Sequence, residues 1–506
     1  MASTTILVAA IDFGTTYSGW AFSFKHEYDT DPTKISAKHW HAGDYVSTKA
    51  PTTVLIKPDA RTLDSFGYEA ETKYSELASD DNNEHKRWYY FRRFKMMLHG
   101  KMAGIKNEKL KIALEPETAS IFCRLLPVEK MIEGGGMVSF KLGSVYMVLD
   151  AGGGTIDITV HEVLSDGKLK ELHKSSGGAW GGTQVDEAYR QFLISLVGNP
   201  VFNRFQVEKK EDYLDMFREF EIKKRAIAPD SDTKVAFRWP LSLKEIFEDE
   251  SREDLHKAIM QTKYANEVTL TGDKLRINAT VMKSFYFNVI QTTVSHVQEL
   301  MKDNIVSSVS SILMVGGFSE SKMLQSAIRT SFPNVKVIIP HEAGLVVLKG
   351  AVVFGHNPSS ISHRICKYTY GVDVTVPFDS EKHDIRKRIE RDIGPGCDDI
   401  FDKYVEIGES VALHVPTTEK SYTPTTGTQS SVGFTIYAST QKSPMYVTDD
   451  GCMKLGYVEI NILDKSVPRD ERSILFSMTF GGTEIEVTAR EQRTGNVTKA
   501  IVNFLG

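Results

Sequence analysis

The sequence is poor in cysteine, in net charge and in long apolar runs, and each shortage removes a class of protein. Four cysteines in 506 residues, Cys123, Cys366, Cys397 and Cys452, fall without C-x-x-C spacing. That pattern argues against a disulfide framework or zinc ribbon and suits reduced thiols in the cytoplasm, and in the nucleus as well. Lys and Arg total 61 against 66 Asp and Glu, a formal charge of −5, too balanced for bulk attraction to nucleic acid or anionic membranes to be the main activity. No apolar stretch reaches the roughly 20 residues of a membrane span. The opening MASTTILVAAIDF has no basic residue before its apolar run, so it reads as a buried first strand, not as a signal peptide. Also missing are a G-x-x-x-x-G-K-[ST] P-loop, a G-x-G-x-x-G fingerprint, a G-x-S-x-G elbow, an H-E-x-x-H pair and the kinase signature set.

What is present is ordinary globular material, 41% hydrophobic and 25% charged, long enough at about 150 residues per domain for roughly three units. From Thr5 to Val353 short apolar runs alternate with amphipathic stretches, an α/β texture. Strands are expected at 5–12, 17–24, 145–150, 155–162, 311–315 and 335–339. Val185, Tyr189, Phe192, Leu193 and Leu196 recur at helical spacing, as do Phe285, Val289, Thr292, Thr293 and His296 within 279–302, and both sets read as core faces. After about Gly355 the stretch GHNPSSISHRICK serves as a connector. The remainder is β-branched, alternating and punctuated by turns, an all-β domain. The expected division is therefore 1–357 and 358–506. Glu133-Gly134-Gly135-Gly136 reads as a surface loop. The basic and aromatic segment from His85 to Lys95 reads as an amphipathic helix with packed rings rather than as a nucleic-acid surface.

The most informative feature is a near repetition. Asp12-Phe13-Gly14-Thr15-Thr16 follows one strand, Asp150-Ala151-Gly152-Gly153-Gly154-Thr155 follows another, and each leads straight into a further strand. Such turns bring backbone N–H groups against phosphate oxygens, because glycine has no side chain to block the approach. The carboxylate before each turn suits hydrated Mg²⁺, a hard cation that prefers carboxylate and water oxygens. One turn alone is an ordinary hairpin, whereas two with matched Asp and Thr point to a nucleotide. Gly316-Gly317-Phe318-Ser319 offers a third close approach, between a strand and a helix.

Together these residues resemble the sugar kinase, heat-shock protein and actin superfamily. More narrowly, the chain is similar to the 70-kDa heat-shock proteins, in particular their divergent branch named heat shock 70 kDa protein 12. The resemblance runs through IDFGTTYSGWAFSF at 11–24, PTTVLI at 51–56, FKMMLH at 94–99, ALEPETASIFCR at 113–124 and VLDAGGGTIDITVH at 148–161. It continues through EIKKRAIAPD at 221–230, MVGGFSES at 314–321, LKGAVVFG at 348–355, YGVDV at 370–374 and DDIFDKYV at 398–405.

The resemblance implies a duplicated actin-like, ribonuclease H-like α/β domain followed by a β-sandwich of substrate-binding type. It implies ATP or ADP with Mg²⁺, and K⁺ beside it. Phosphates would lie on Gly14, Thr15, Thr16 and Tyr17 and on Gly152, Gly153, Gly154 and Thr155. Asp12 and Asp150 would hold the metal through water, with Asp157 nearby, Glu115 orienting water and metal, and Lys95 positioning the attacking water. Gly181, Gly182, Glu221, Lys224, Arg225, Gly316 and Gly317 would form the adenosine side. The partners implied are a polypeptide client or signalling protein and a nucleotide-exchange co-chaperone, with no nucleic acid and no membrane span.

Departures from the family are equally legible. Lys95 and Glu115 stand only 20 residues apart, whereas family members place a far longer segment there, so part of the first lobe is missing around 99–112 and a sheet edge is left open. Ser319, Glu320 and Ser321 replace an expected arginine, and neither an acidic leucine-rich linker nor a helical lid is evident. The expected activity is slow ATP hydrolysis coupled to protein binding. A nucleotide-sensing adaptor without turnover is the alternative. A small-molecule kinase of the same superfamily fits D-x-G-T-T but leaves the terminal β domain unexplained.

Overall fold

LVAAIDF and YSGWAFSF carry β-branched and aromatic residues that suit pleated backbone, and they form an antiparallel pair. Strand β1 (Leu7–Phe13) runs against β2 (Tyr17–Phe24), with Leu7 opposite Phe24 and Phe13 opposite Ser18. In this computed structural model the described residues are 5–42, 45–79, 84–97, 110–126, 140–391, 394–464, 466–481 and 484–503. The chain divides into two units. One comprises Met1–Lys106, Glu115–Thr159 and Ser175–Asn357, the other Asn107–Leu114, Val160–Lys174 and Pro358–Gly506.

In the first unit a short strand, β3 (Ala50–Pro51), pairs with the start of β2. Among the described residues no strand pairs with the other side of β1. Helix α1 (Glu115–Cys123) begins directly at the Glu-Pro motif, where proline costs nothing because the first-turn N–H groups have no intrahelical partner.

The second half of this unit is built on β4 (Val145–Ala151), β5 (Ile156–Val163), β6 (Leu169–Gly178), β7 (Ser311–Val315) and β8 (Lys336–Ile338). β4 and β7 run parallel, Asp150 beside Val315, and β7 and β8 do likewise. Strands covered on both faces carry unbroken apolar runs, which explains YMVLDA and SILMV. The unit boundary passes within β5 and β6.

Helix α2 (Thr183–Val197) buries Val185, Tyr189, Phe192, Leu193 and Leu196, and Tyr189 stacks on Phe220 of α3 (Lys210–Arg225) at 3.9 Å between centroids. The 279–302 region is two helices, Ala279–Ser284 and Phe287–Leu300. Its inner face is Val289, Thr293, Val294 and Val297, with Thr292 turned outward. Helix α4 (Ala343–His356) packs Leu345, Leu348 and Val352 on Ala10 and Ala21. It passes close to α1 because a Cβ on Gly350 would collide with the carbonyl of Thr118.

The second unit is mostly antiparallel sheet. One sheet orders Arg388–Ile389, Gly396–Val405, Thr369–Pro377, Ser431–Ser439 and Cys452–Asn461. The other orders Lys420–Tyr422, Ile474–Phe480, Glu484–Glu491 and Val497–Asn503. They meet through Phe434 on Phe476 at 4.6 Å and Tyr370 on Phe480 at 5.6 Å between centroids. The α/β class and the all-β region expected from the sequence are both present.

Three local readings are corrected. The first strand is not buried: in β1 only Ala10 is, while Ile11 is 69% exposed. The segment from His85 to Lys95 is not an amphipathic helix: Tyr89–Arg92 is a strand paired with Thr53–Ile56, flanked by single 3₁₀ turns. Consecutive aromatics favour pleated backbone once a partner strand is supplied. The connector expected after Gly355 contains a strand, Ile361–Ile365, with Ile361 beside Leu169. The Glu133 to Gly136 stretch and residues 98–109, where the missing segment would fall, lie outside the described residues. All four cysteines are free thiols.

Candidate functional site

The two Gly/Thr turns face each other within the first unit. A Cβ on Gly153 would stand 2.9 Å from Cβ and Oγ1 of Thr16, and one on Gly154 3.4 Å from Cβ of Thr15. The first turn is anchored by Thr52, which follows β3. Its hydroxyl donates to the Gly14 carbonyl at 2.7 Å, its N–H donates to the Thr16 carbonyl at 2.9 Å, and Ser18 Oγ lies 2.8 Å from its Oγ1. Gly14 is required, because a Cβ would run into the Tyr17 carbonyl. The second turn is gripped by its carbonyls: Gly181, Gly182 and Thr183 donate to Gly154, Gly152 and Gly153 at 3.2, 3.1 and 2.8 Å.

Two polar atoms at this junction are buried without a hydrogen-bond partner, Thr16 Oγ1 and Asp150 Oδ2. An unpaired buried oxygen costs about 1–3 kcal/mol, so both are places where a ligand donor or cation would be welcome. Asp150 is 3% exposed, and its carboxyl is held well above the usual range by burial first and by the Glu115 charge second, with Lys49 opposing. Burial also raises Glu115, and Asp12 adds to the shift against Lys49 and Lys95. Gly316, at φ +85°, lets its turn close on this carboxylate, since a Cβ there would strike Asp150 Oδ1 and the Ala151 carbonyl. Thr155 donates to Asp157 at 3.0 Å.

The lysine paired with Asp12 is Lys49. Its Nζ lies 2.5 Å from Asp12 Oδ2, with side chains 19% and 9% exposed. Burial works to neutralise it, but Asp12, Glu115 and Asp150 together hold its ammonium above the ordinary lysine value. Lys95 stays within electrostatic reach of Glu115. Lys49 had no motif to single it out; its only sequence signal is its position two residues before the PTTVLI segment.

Among the residues that the family resemblance assigns to adenosine, Lys224 is ion-paired with both Asp186 and Glu221, and Arg225 Nη2 lies 2.6 Å from Glu221. Arg93 reaches Asp186 at 3.5 Å, and Tyr286 donates its phenol to the Lys224 carbonyl at 2.6 Å. Burial alone would depress Lys224, but Glu221 and Asp186 outweigh it and hold the ammonium above the usual value. The Tyr17 phenol is pushed well up by burial and by Glu221. Phe318 lies over Gly182, whose missing Cβ leaves 3.2 Å to the ring, and its plane is within 13° of Tyr286. Thus Glu221, Lys224 and Arg225 come together with Gly181, Gly182 and the 316–318 turn, joined by Asp186, Tyr286 and Phe318, which motif reasoning did not supply.

No protein-family model matches the chain. Among curated proteins, heat shock 70 kDa protein 12A of Homo sapiens is 30% identical in an alignment of 628 positions that covers 99% of this chain and 92% of the relative. The chain belongs to the heat shock 70 kDa protein 12 family. The Mus musculus 12A protein matches at the same identity and coverage, and human 12B at 28% over 99% of this chain and 91% of its own length. An alignment longer than the 506-residue chain means that these family members carry internal residues that this one lacks. Among solved structures, MreB 5 of Spiroplasma citri bound to AMPPNP matches at 11% identity and a TM-score of 0.40, over 70% of this chain and 96% of that one. That similarity is too low to carry an argument.

Mg²⁺ keeps several waters and needs one or two carboxylates together with substrate phosphates rather than an all-protein cage. This family member fits that requirement. Among the described residues no group of three or more His, Cys, Asp or Glu side chains forms a metal site, while Asp12 and the orphaned Asp150 Oδ2 supply carboxylate oxygens beside the two turns.

Proposed function

We propose that the first unit binds ATP or ADP with its phosphates between the two Gly/Thr turns and hydrolyses ATP slowly, and that the second unit engages a polypeptide or partner protein in response. The observation that carries this reading is the face-to-face placement of Thr16 and Gly153, with Thr16 Oγ1 and Asp150 Oδ2 buried and unpaired beside it. Phosphoryl transfer asks a protein mainly for positioning and for stabilisation of developing charge. Backbone donors of residues 14–17 and 152–155 would hold the phosphates. Asp12 and Asp150 would hold Mg²⁺, with K⁺ beside it, and the metal would neutralise phosphate charge. Glu115, at the start of α1, would orient water, with Lys95 alongside. Gly181, Gly182, Glu221, Lys224, Arg225, Gly316 and Gly317 would enclose the adenosine. Four free thiols suit a reducing compartment, cytoplasm or nucleus, and among the described residues no helix is long and apolar enough to cross a membrane.

Single-turnover hydrolysis in the full chain, beside Asp12→Asn and Asp150→Asn, tests the enzymatic part: a rate no greater than in the variants overturns it. The adaptor reading, binding without turnover, is favoured by one observation, that Lys49 already engages Asp12. It predicts tight nucleotide binding at that same null rate.

A further inference from the structure

Lys49 reaches the carboxylates from a segment that is built into the first turn. Residues 50 and 51 pair with Ser18 and Tyr17, and Thr52 binds the Gly14 and Thr16 carbonyls. The lysine stem passes over Gly19, where a Cβ would stand 3.1 Å from Lys49 Cγ, and Gly19 is the residue opposite Asp12 in the β1–β2 ladder. A glycine at that position therefore opens the path by which the ammonium arrives 2.5 Å from Asp12 Oδ2. This ammonium is one of the charges acting on Glu115 and Asp150 as well. It stands where phosphate-bound cations are expected, and a lysine held so firmly is a fixed charge rather than a roaming surface one.

We propose that Lys49 is a resident cation of the phosphate site, ion-paired to Asp12 and available to nucleotide phosphates, so that this chain binds ADP with little dependence on Mg²⁺. The inference rests on the nucleotide-binding reading of the same site. Two physical points support it. A buried ammonium beside phosphate makes charge-assisted hydrogen bonds about twice as strong as neutral ones, so part of the neutralisation that a divalent ion supplies is already in place. A divalent ion seeking Asp12 must also displace or share an existing ion pair, which lowers the gain from adding metal. The lysine and the metal are competitors for one carboxylate, and the nucleotide can be held by either.

The test is equilibrium binding of ADP to the full chain by calorimetry, in excess Mg²⁺ and in excess EDTA, for wild type and Lys49→Met, with thermal melts to check folding. In wild type the two dissociation constants are expected to agree within about fivefold. Lys49→Met is expected to bind at least about tenfold more weakly in EDTA, roughly 1.4 kcal/mol, and to regain affinity in Mg²⁺ as the metal takes over Asp12. Two results overturn the inference: a wild-type loss above fivefold on metal removal, or a Lys49→Met ratio between the two buffers equal to that of wild type. Should the variant not fold, the wild-type ratio alone decides. Absence of ADP binding by wild type in both buffers has a different meaning, since it overturns the nucleotide reading itself.

Discussion

Thr16 and Gly153 oppose each other across the two hairpin turns, and the place where a Gly153 side chain would begin is 2.9 Å from Thr16 Oγ1. Two turns far apart in sequence are thus set at a spacing that only glycine permits. Thr52 behind the first and the Gly181–Thr183 amides behind the second keep them from drifting apart.

Gly153→Ala therefore forces Thr16 or the second turn to move. The expected outcome is at least about tenfold weaker ADP binding, about 1.4 kcal/mol, with folding retained, as read by calorimetry alongside a thermal melt. Affinity equal to wild type contradicts placement of phosphates between these turns.

Lys224 balances two partly buried carboxylates, Asp186 and Glu221, whose side chains are 17% and 26% exposed, with its own side chain 13% exposed. Removing one member of a partly buried ion network leaves the other charges without their partner at about 1–3 kcal/mol. Lys224→Met is expected to lose that amount in urea unfolding. Adding Asp186→Leu should restore part of it, because Arg225 still serves Glu221. A double variant less stable than the single one would refute the account.

In the second unit the imidazole of His161 is held down to about 3, chiefly by burial and then by Arg364. Between that value and the unfolded histidine value of about 6.5, the unfolded chain binds a proton that the folded chain refuses. Stability from this group therefore falls as pH drops below about 6.5, by at most about 1.4 kcal/mol per pH unit. Urea unfolding at pH 7 and pH 5 measures it, and His161→Gln should reduce the difference between the two pH values by about 2 kcal/mol. An unchanged pH dependence would place the proton elsewhere.

Glu491, 1% exposed, accepts the N–H groups of Leu463 and Asp464 at 3.1 and 3.3 Å and the Thr494 hydroxyl. Glu491→Ala leaves those part-buried donors without it, and a loss of about 1–2 kcal/mol is expected. Denaturant midpoints of the full chain, with the first unit followed separately through nucleotide binding, check this.

Much of the frame was legible in the amino-acid order because its signals are local. The apolar runs of β1, β4 and β7, the Asp-then-glycine turns, the helical face of α2 and the change to alternating β texture after residue 355 each depend on neighbours a few positions away. The segment from His85 to Lys95 was misread for the complementary reason. Its basic and aromatic mixture suits a helix surface until the Thr53–Ile56 strand offers its backbone hydrogen bonds.

By itself, then, the sequence determined which residue types could face a phosphate and which strands would carry them, since turn chemistry and periodicity are properties of short stretches. Tertiary structure decided which charges meet. Lys49 lies 37 residues from Asp12, Lys224 lies 38 from Asp186, and Tyr286 lies 62 from the carbonyl it binds. No periodicity spans such gaps; the two ion pairs form because burying either charge alone costs more than burying them together, the phenol bonds because a buried hydroxyl needs a partner, and only the packed fold brings them within reach.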